Sequence, residues 1–313
     1  MLANPLEHLR AGRASGWAVG GFNVYNLESA RAVIAAATNL RAPVMIQTSE
    51  GAVEHAGFGN IASIVRRLAE EAPVPVALHM DHGKSIEVAR AAVEAGYTSV
   101  MIDTSRLPLE ENIAATREIV EFAHARDVQV EAEIGQLAGI EDLGEEEAEA
   151  TFTVPEEAVR FVADTGVDSL TITIGTSHGA FKFIGEPRLD FDRLESIAHL
   201  IDNPIVLHGA SAVSADDVAF AQQYGARLPE ARGIPEEFIK RAISLGVAKI
   251  NTDSDLRLAA LGRMRQVLTE RPDIFNIYEL LGEVEEAIRS SVEARIRLFG
   301  SEGKAGYAIK EKP

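Results

Sequence analysis

Four histidines stand in or just beyond short apolar runs: His79 and His82 in PVALHMDHG, His178 in SLTITIGTSHG and His208 in PIVLHGA. The chain has 8 histidines and no cysteine, so a transition-metal site in it must be built from imidazole and carboxylate. Three protein ligands plus an open position is the pattern of a catalytic metal. His82, His178 and His208, one from each run, are the expected ligands, while His79 sits deeper in its run and is expected to support them or fill the core. Asp81 adjoins His82, and either reaches a substrate hydroxyl or orients a ligand histidine. Glu133, near the end of QVEAEIG, is an additional or alternative ligand, and Glu141 reads on its own as a solvated charge in an acidic loop.

Small residues and hydrogen-bond donors gather near the last of these runs. Gly179 and Gly209 each follow a histidine and allow close approach of backbone to a ligand. Ser211 and Ser254 supply hydroxyls, and Lys182 and Arg257 are cations nearby. Together they suggest a site for a phosphate.

The elements that must position these residues repeat one unit, a short β-branched run followed by a longer amphipathic stretch. Eight strands are expected, beginning near Ala18, Pro43, Pro75, Ser99, Gln129, Ser169, Pro204 and Ala248. Helical patterns cover 27–40, 85–95, 109–125 and 155–164, with Ser85 as a cap, Pro155 in a first turn, and Gly96, Gly166 and Gly246 at C-terminal ends. Strict alternation implies a parallel sheet, and eight units imply a (β/α)8 barrel. An open doubly wound sheet is the weaker alternative, because GGFNVYN is not a dinucleotide-type glycine loop. The barrel is expected over about 18–255, with a helical extension over about 256–313, all within one domain. Long connections at 139–153 and 211–235 interrupt the pattern. In a barrel the reactive end is the C-terminal end of the strands, and that is where the histidines and carboxylates fall.

Composition excludes other classes. With 30 Lys+Arg against 48 Asp+Glu the net charge is −18, which argues against a nucleic-acid partner. No apolar run approaches the roughly 18 residues of a membrane span. Residues 1–17 lack a signal-type apolar block, and a cytoplasmic enzyme is expected.

In order, the strings GGFNVYNLESA, HMDHGKS, EAEIGQLAGIED, IGTSHGAFK, VLHGASAV, ISLGVAKINTDSDLR and LFGSEGKA resemble the class II, metal-dependent fructose-bisphosphate aldolase family over essentially the whole chain. The resemblance implies a (β/α)8 barrel and reversible cleavage of fructose 1,6-bisphosphate to dihydroxyacetone phosphate and glyceraldehyde 3-phosphate, a step of glycolysis and gluconeogenesis. A tagatose bisphosphate or another ketose bisphosphate is the alternative substrate. It implies Zn2+, or Co2+ or another divalent ion, on His82, His178 and His208, with Glu133 at an alternative metal position. It gives Asp81 the C4 hydroxyl proton and Glu141 the proton at the dihydroxyacetone-phosphate carbon. Gly179, Gly209, Ser211, Asp253 and Ser254 match phosphate and ketose contacts, with a monovalent cation (Na+, K+ or NH4+) nearby. Asn23, Ser49 and Asn251 match further substrate contacts, and Asp253 and Arg257 match positions associated with fructose over tagatose bisphosphate. A homodimer or homotetramer follows from the same resemblance. The chain departs from the family pattern at Ala138, Ala210 and Ala212, where glycine is frequent.

A competing aldolase chemistry forms a Schiff base and needs a lysine at a strand end. Lys84, Lys182 and Lys249 are the only lysines near strands, and Lys249 is expected to lie too deep, paired with Glu131. A metal hydrolase would want a His-x-His pattern on the first strand, which is absent, and a non-catalytic barrel should have lost its ligands.

Overall fold

The computed structural model describes residues 1–137, 151–176, 188–211, 213–228 and 233–306. Eight strands form a closed parallel barrel in sequence order: β1 (Val19–Asn23), β2 (Val44–Thr48), β3 (Val76–Gly83), β4 (Ser99–Ile102), β5 (Gln129–Ile134), β6 (Ser169–Ile172), β7 (Ile205–Leu207) and β8 (Val247–Thr252). β8 pairs back onto β1, with Val19 opposite Lys249, so no strand edge is left exposed. Each strand begins within one residue of the position expected from its apolar run.

Twelve helices accompany the strands among the described residues. They are α1 (Leu6–Ser15), α2 (Leu27–Leu40), α3 (Glu50–Ala56), α4 (Phe58–Glu71), α5 (Ile86–Glu94), α6 (Leu109–His124), α7 (Pro155–Thr165), α8 (Phe191–Leu200), α9 (Ala215–Gln223), α10 (Glu236–Ser244), α11 (Ser254–Glu270) and α12 (Ile277–Leu298). Local chemistry sets their ends. Asn26 and Ser29 form a reciprocal capping box at the start of α2. The Ser85 side chain accepts from Val88 N at the start of α5, as its position predicts. Gly166 closes α7 in the left-handed conformation.

Successive strand residues point to opposite faces. The outward set, including Phe22, Ile46, Leu78, Val100, Val130, Leu170 and Ile250, packs with the surrounding helices in the main apolar core. The inward set divides by depth. At the lower end Val19, Met45 and Ala77 pack with Trp17 and with Leu9 of α1 in a separate apolar cluster. This helix lies outside the repeating unit, and it closes the end of the barrel opposite the reactive one. Above it the filling turns polar: His79, Ser99, Gln129, Glu131, Ser169, Thr171 and Lys249 are all buried.

Two long connections are anchored to this frame. Gln136 and Thr151 exchange backbone hydrogen bonds of 2.9 Å in each direction, pinning the ends of the acidic segment after β5. The connection after β7 carries α9. Beyond β8, α12 lies against α2 and α11, and its buried Arg295 is 3.5 Å from the Asp255 carboxylate in the first turn of α11.

Leu9 is fully buried in the lower cluster. Leu9→Ala is expected to lower unfolding stability by about 2–5 kcal/mol, because the surrounding barrel collapses only in part around the lost atoms. The denaturant midpoint measures this, and a shift in divalent-metal affinity is not expected.

Candidate active site

Asp81 and His82 are neighbours on β3, and ordinary strand alternation would turn one of them out of the barrel. The structure avoids this by a register shift between Met80 and Gly83 where β3 meets β4. His82 adopts φ of 49°, in the left-handed region that a side-chain-bearing residue rarely enters. Such a conformation costs on the order of 1–3 kcal/mol and persists where its surroundings hold it. Here the next residue must be small, since a Cβ on Gly83 would lie 2.7 Å from Met101 O. The result is that both Asp81 and His82 face the mouth.

Asp81 is 2 % exposed and held from two sides. Asn23 Nδ2 on β1 donates to its Oδ2 at 2.9 Å, and Asn251 Nδ2 on β8 donates to its Oδ1 at 2.8 Å. Gln47 Nε2 on β2 donates to Asn23 Oδ1 at 3.1 Å and fixes that amide in turn. Gln47 reaches this position because residue 21 is glycine: a Cβ there would fall 1.7 Å from Gln47 Oε1. Burial would raise the Asp81 pKa, but the fields of neighbouring cationic groups, Lys249 among them, and the Asn23 hydrogen bond outweigh it and hold the carboxyl below its ordinary range. Asp81 is therefore held as a carboxylate of fixed geometry, a group able to accept a proton.

The two histidines are oriented by other carboxylates. His82 Nδ1 donates to Asp103 Oδ2 at 2.7 Å, and Asp103 also accepts from Ser105 N at 3.2 Å and Ser105 Oγ at 2.8 Å. Against its burial, these bonds and the His82 charge push the Asp103 carboxyl well down. His208 Nε2 donates to Glu131 Oε1 at 2.9 Å. Burial, His82 and Lys249 all push the His208 pKa well down, favouring the neutral ring that ligates metal. The opposite nitrogens, His208 Nδ1 and His82 Nε2, point at one another 2.7 Å apart. Two nitrogens turned inward in this way repel unless a cation or proton lies between them. Asp81, His82 and His208 offer ligand atoms within 4.8 Å of one another, as do His82, Asp103 and Glu133. Glu133 Oε2 is 3.8 Å from His208 Nδ1. The donor set of imidazole nitrogens and carboxylate oxygens fits a divalent transition metal.

The other expected site residues are distributed as follows. His178, Gly179, Lys182 and Glu141 lie outside the described residues, as do Ala138 and Ala212. Ser49 is buried and its hydroxyl caps α3, accepting from Ala52 N at 3.3 Å. Gly209 has φ of 62° immediately after His208, and Ser211 is buried beyond it. Ser254 opens α11, and Asp253, at its N-cap, binds Arg257 through contacts of 2.9 and 2.8 Å. Asn23 and Asn251, expected to touch substrate, direct their amide N–H groups at Asp81. Asn251 Oδ1 remains buried without a hydrogen bond from the described residues and keeps acceptor capacity. Lys249 is fully buried, 2.8 Å from Glu131 Oε2, and so is closed to Schiff-base chemistry. Residue type alone does not single out Asp103 or Gln47. Asp103 shows in the sequence only as a polar strand end, and Gln47 carries no signal beyond its place in an apolar run.

The family model for fructose-bisphosphate aldolase class-II matches residues 3–304. A fructose-bisphosphate aldolase of Thermus caldophilus is 48% identical over 97% of this chain and 100% of its own length. One from Helicobacter pylori strain J99 is 42% identical over the same shares. Among solved structures, the YdjI aldolase of Escherichia coli K12 superposes with a TM-score of 0.78 at 34% identity, covering 97% of this chain and 100% of that one.

Asp103 orients His82 through one short hydrogen bond. Asp103→Ala is expected to weaken divalent-metal binding by roughly 10–100-fold, the usual consequence of losing a carboxylate behind a ligand imidazole. Competition against a chromogenic chelator measures the change.

Proposed function

The chain belongs to the class-II fructose-bisphosphate aldolase family, and from that premise we propose that it cleaves fructose 1,6-bisphosphate reversibly to dihydroxyacetone phosphate and glyceraldehyde 3-phosphate. One observation carries the reading: a clamped carboxylate, Asp81, stands beside two imidazole nitrogens that face each other. The first is a proton acceptor and the second a seat for a cation, which are the two functions that metal-dependent aldol cleavage requires.

A divalent ion bound there, zinc on this reading, supplies a Lewis acid that polarises the ketose C2 carbonyl and balances the charge that develops as the C3–C4 bond breaks. His82, His178 and His208 are its proposed ligands, with Glu133 at an alternative position. Asp81 takes the proton of the C4 hydroxyl while the C3–C4 electron pair passes toward C2, and C4 becomes the aldehyde carbon. In condensation it returns that proton. The amides of Asn23 and Asn251 keep both Asp81 oxygens in the mouth, so orientation does not have to be found during the reaction. Glu141 is proposed to protonate C3 and complete dihydroxyacetone phosphate.

Gly179, Gly209, Ser211 and Ser254, with Lys182, are the proposed contacts of one phosphate, assisted by a monovalent cation. Their chemistry supports this: backbone N–H groups at small residues and hydroxyls around a helix start attract anions. Ser49 and Asn251 are proposed to meet the sugar hydroxyls, and Asp253 with Arg257 the distal end. The ion pair of Asp253 with Arg257, one turn apart at the start of α11, supports the last assignment by tying the guanidinium to the residue that follows β8. We further propose one domain, a barrel over about 18–255 with helices to the end, in a cytoplasmic homo-oligomer. Exposed Phe275, Ile277 and Tyr278 support a subunit contact. No helix among the described residues is long and apolar enough to cross a membrane.

Metal-loaded protein is expected to cleave fructose 1,6-bisphosphate faster than tagatose 1,6-bisphosphate, and to lose that activity in excess EDTA and regain it with Zn2+. Undiminished turnover in EDTA would remove the mechanism, and a preference for tagatose would remove the substrate. Asn251→Ala should lower kcat by roughly 10²-fold, the scale expected when a reacting group is misplaced by about an ångström. Steady-state kinetics at saturating substrate measure it.

A further inference from the structure

Beneath the mouth lies a buried network that the reaction does not use directly, and its centre is Lys249. An ammonium has donors and no acceptor, which fixes the direction of every bond around it. Lys249 Nζ donates to Glu131 Oε2 at 2.8 Å and to His79 Nε2 at 3.2 Å. His79 therefore carries its proton on Nδ1, which donates to Ser99 Oγ at 2.6 Å; Ser99 in turn donates to Gln129 Oε1. On the other branch, Glu131 Oε1 accepts from Thr171 Oγ1 at 2.9 Å and from His208 Nε2 at 2.9 Å. Lys249, Glu131, His79 and His208 are all fully buried, so no bulk water competes for these roles.

We infer that Glu131, its carboxylate held by Lys249, is a positioning residue that decides which nitrogen of His208 is offered to the metal, an inference that rests on the metal-dependent reading above. Thr171 holds one Glu131 oxygen and Lys249 the other, leaving the carboxylate one orientation. A carboxylate only accepts, so His208 must keep its proton on Nε2 and turn Nδ1 toward His82 Nε2, 2.7 Å away. With Glu131 gone, Thr171 Oγ1, at 3.4 Å, remains as an acceptor for His208 Nε2–H, and a bond of that length holds the proton weakly, so the proton can also reside on Nδ1, where it blocks the ligand atom. The network joins β3, β4, β5, β6 and β8, so a lysine in the eighth strand reaches a histidine just past the seventh through a carboxylate on the fifth.

Removing one charge of a buried pair leaves the other stranded, whereas removing both with side chains of similar volume is often neutral for stability. Two double variants are therefore compared with wild type, Glu131→Leu/Lys249→Met and Glu131→Gln/Lys249→Met. Both lose the charges, but only the glutamine keeps an acceptor at residue 131 for His208 Nε2–H. Zinc affinity is read by chelator competition, the ligand field by the visible absorption of the Co2+ form, and folding by thermal melting. The leucine variant is expected to bind zinc roughly 10–100-fold more weakly with an altered Co2+ spectrum. The glutamine variant should recover most of the affinity at a similar melting temperature. Wild-type affinity in the leucine variant, or equal losses in both, would overturn the assignment. If the wild-type protein itself binds neither ion, the metal-dependent reading fails first.

Discussion

The inward turn of His82 is the constraint on which the site depends. A strand offers one face in two residues, and the proposed aldol chemistry asks for a base and a metal ligand side by side. The bulge at the end of β3 and the left-handed backbone of His82 supply both from consecutive positions. Neighbouring strands then act on the two side chains separately. β1 and β8 hold Asp81 through amides, while the segment after β4 holds His82 through Asp103. Strain in one residue is thus converted into two independently fixed functional groups.

The filling of the barrel follows an electrostatic gradient. Its lower end is apolar, its middle holds a fully buried ion pair, and its upper end gathers imidazoles and carboxylates. A buried ion pair is poor evidence of stability, because desolvating the charges opposes their attraction. Its value here lies in direction, since donors and acceptors cannot exchange roles around a lysine. The net charge of −18 has little bearing on this interior. Local fields dominate over a few ångströms, and phosphate must be drawn by residues at the mouth against the field of the whole molecule.

Much of this is legible in the sequence, for physical reasons that differ by element. The strands are readable because parallel strands buried on both faces leave continuous apolar runs. Their polar ends point to the reactive face. The helix α1 escapes such a reading, because it belongs to no βα unit and its role is evident only when Leu9 is seen under the barrel. The family resemblance implies that Asn23 and Asn251 are substrate contacts, which their amide chemistry allows. Their hydrogen bonds to Asp81 join residues 58 and 170 positions apart in the chain, which no local pattern reveals. The same holds for the role of Asp103, which depends on a tautomer. The inward turn of His82 leaves little trace either, since histidine is only one of several residue types that occasionally adopt left-handed backbone and most histidines do not.

The closure of the lower end by Leu9 and Trp17 has a bearing on traffic. A barrel sealed at its base is a vessel with one doorway. One hexose bisphosphate enters by it and two triose phosphates must leave by it, and the reverse reaction admits both trioses through the same opening. Entry and exit therefore compete, and the order in which molecules queue at the mouth becomes part of how fast the enzyme can turn over.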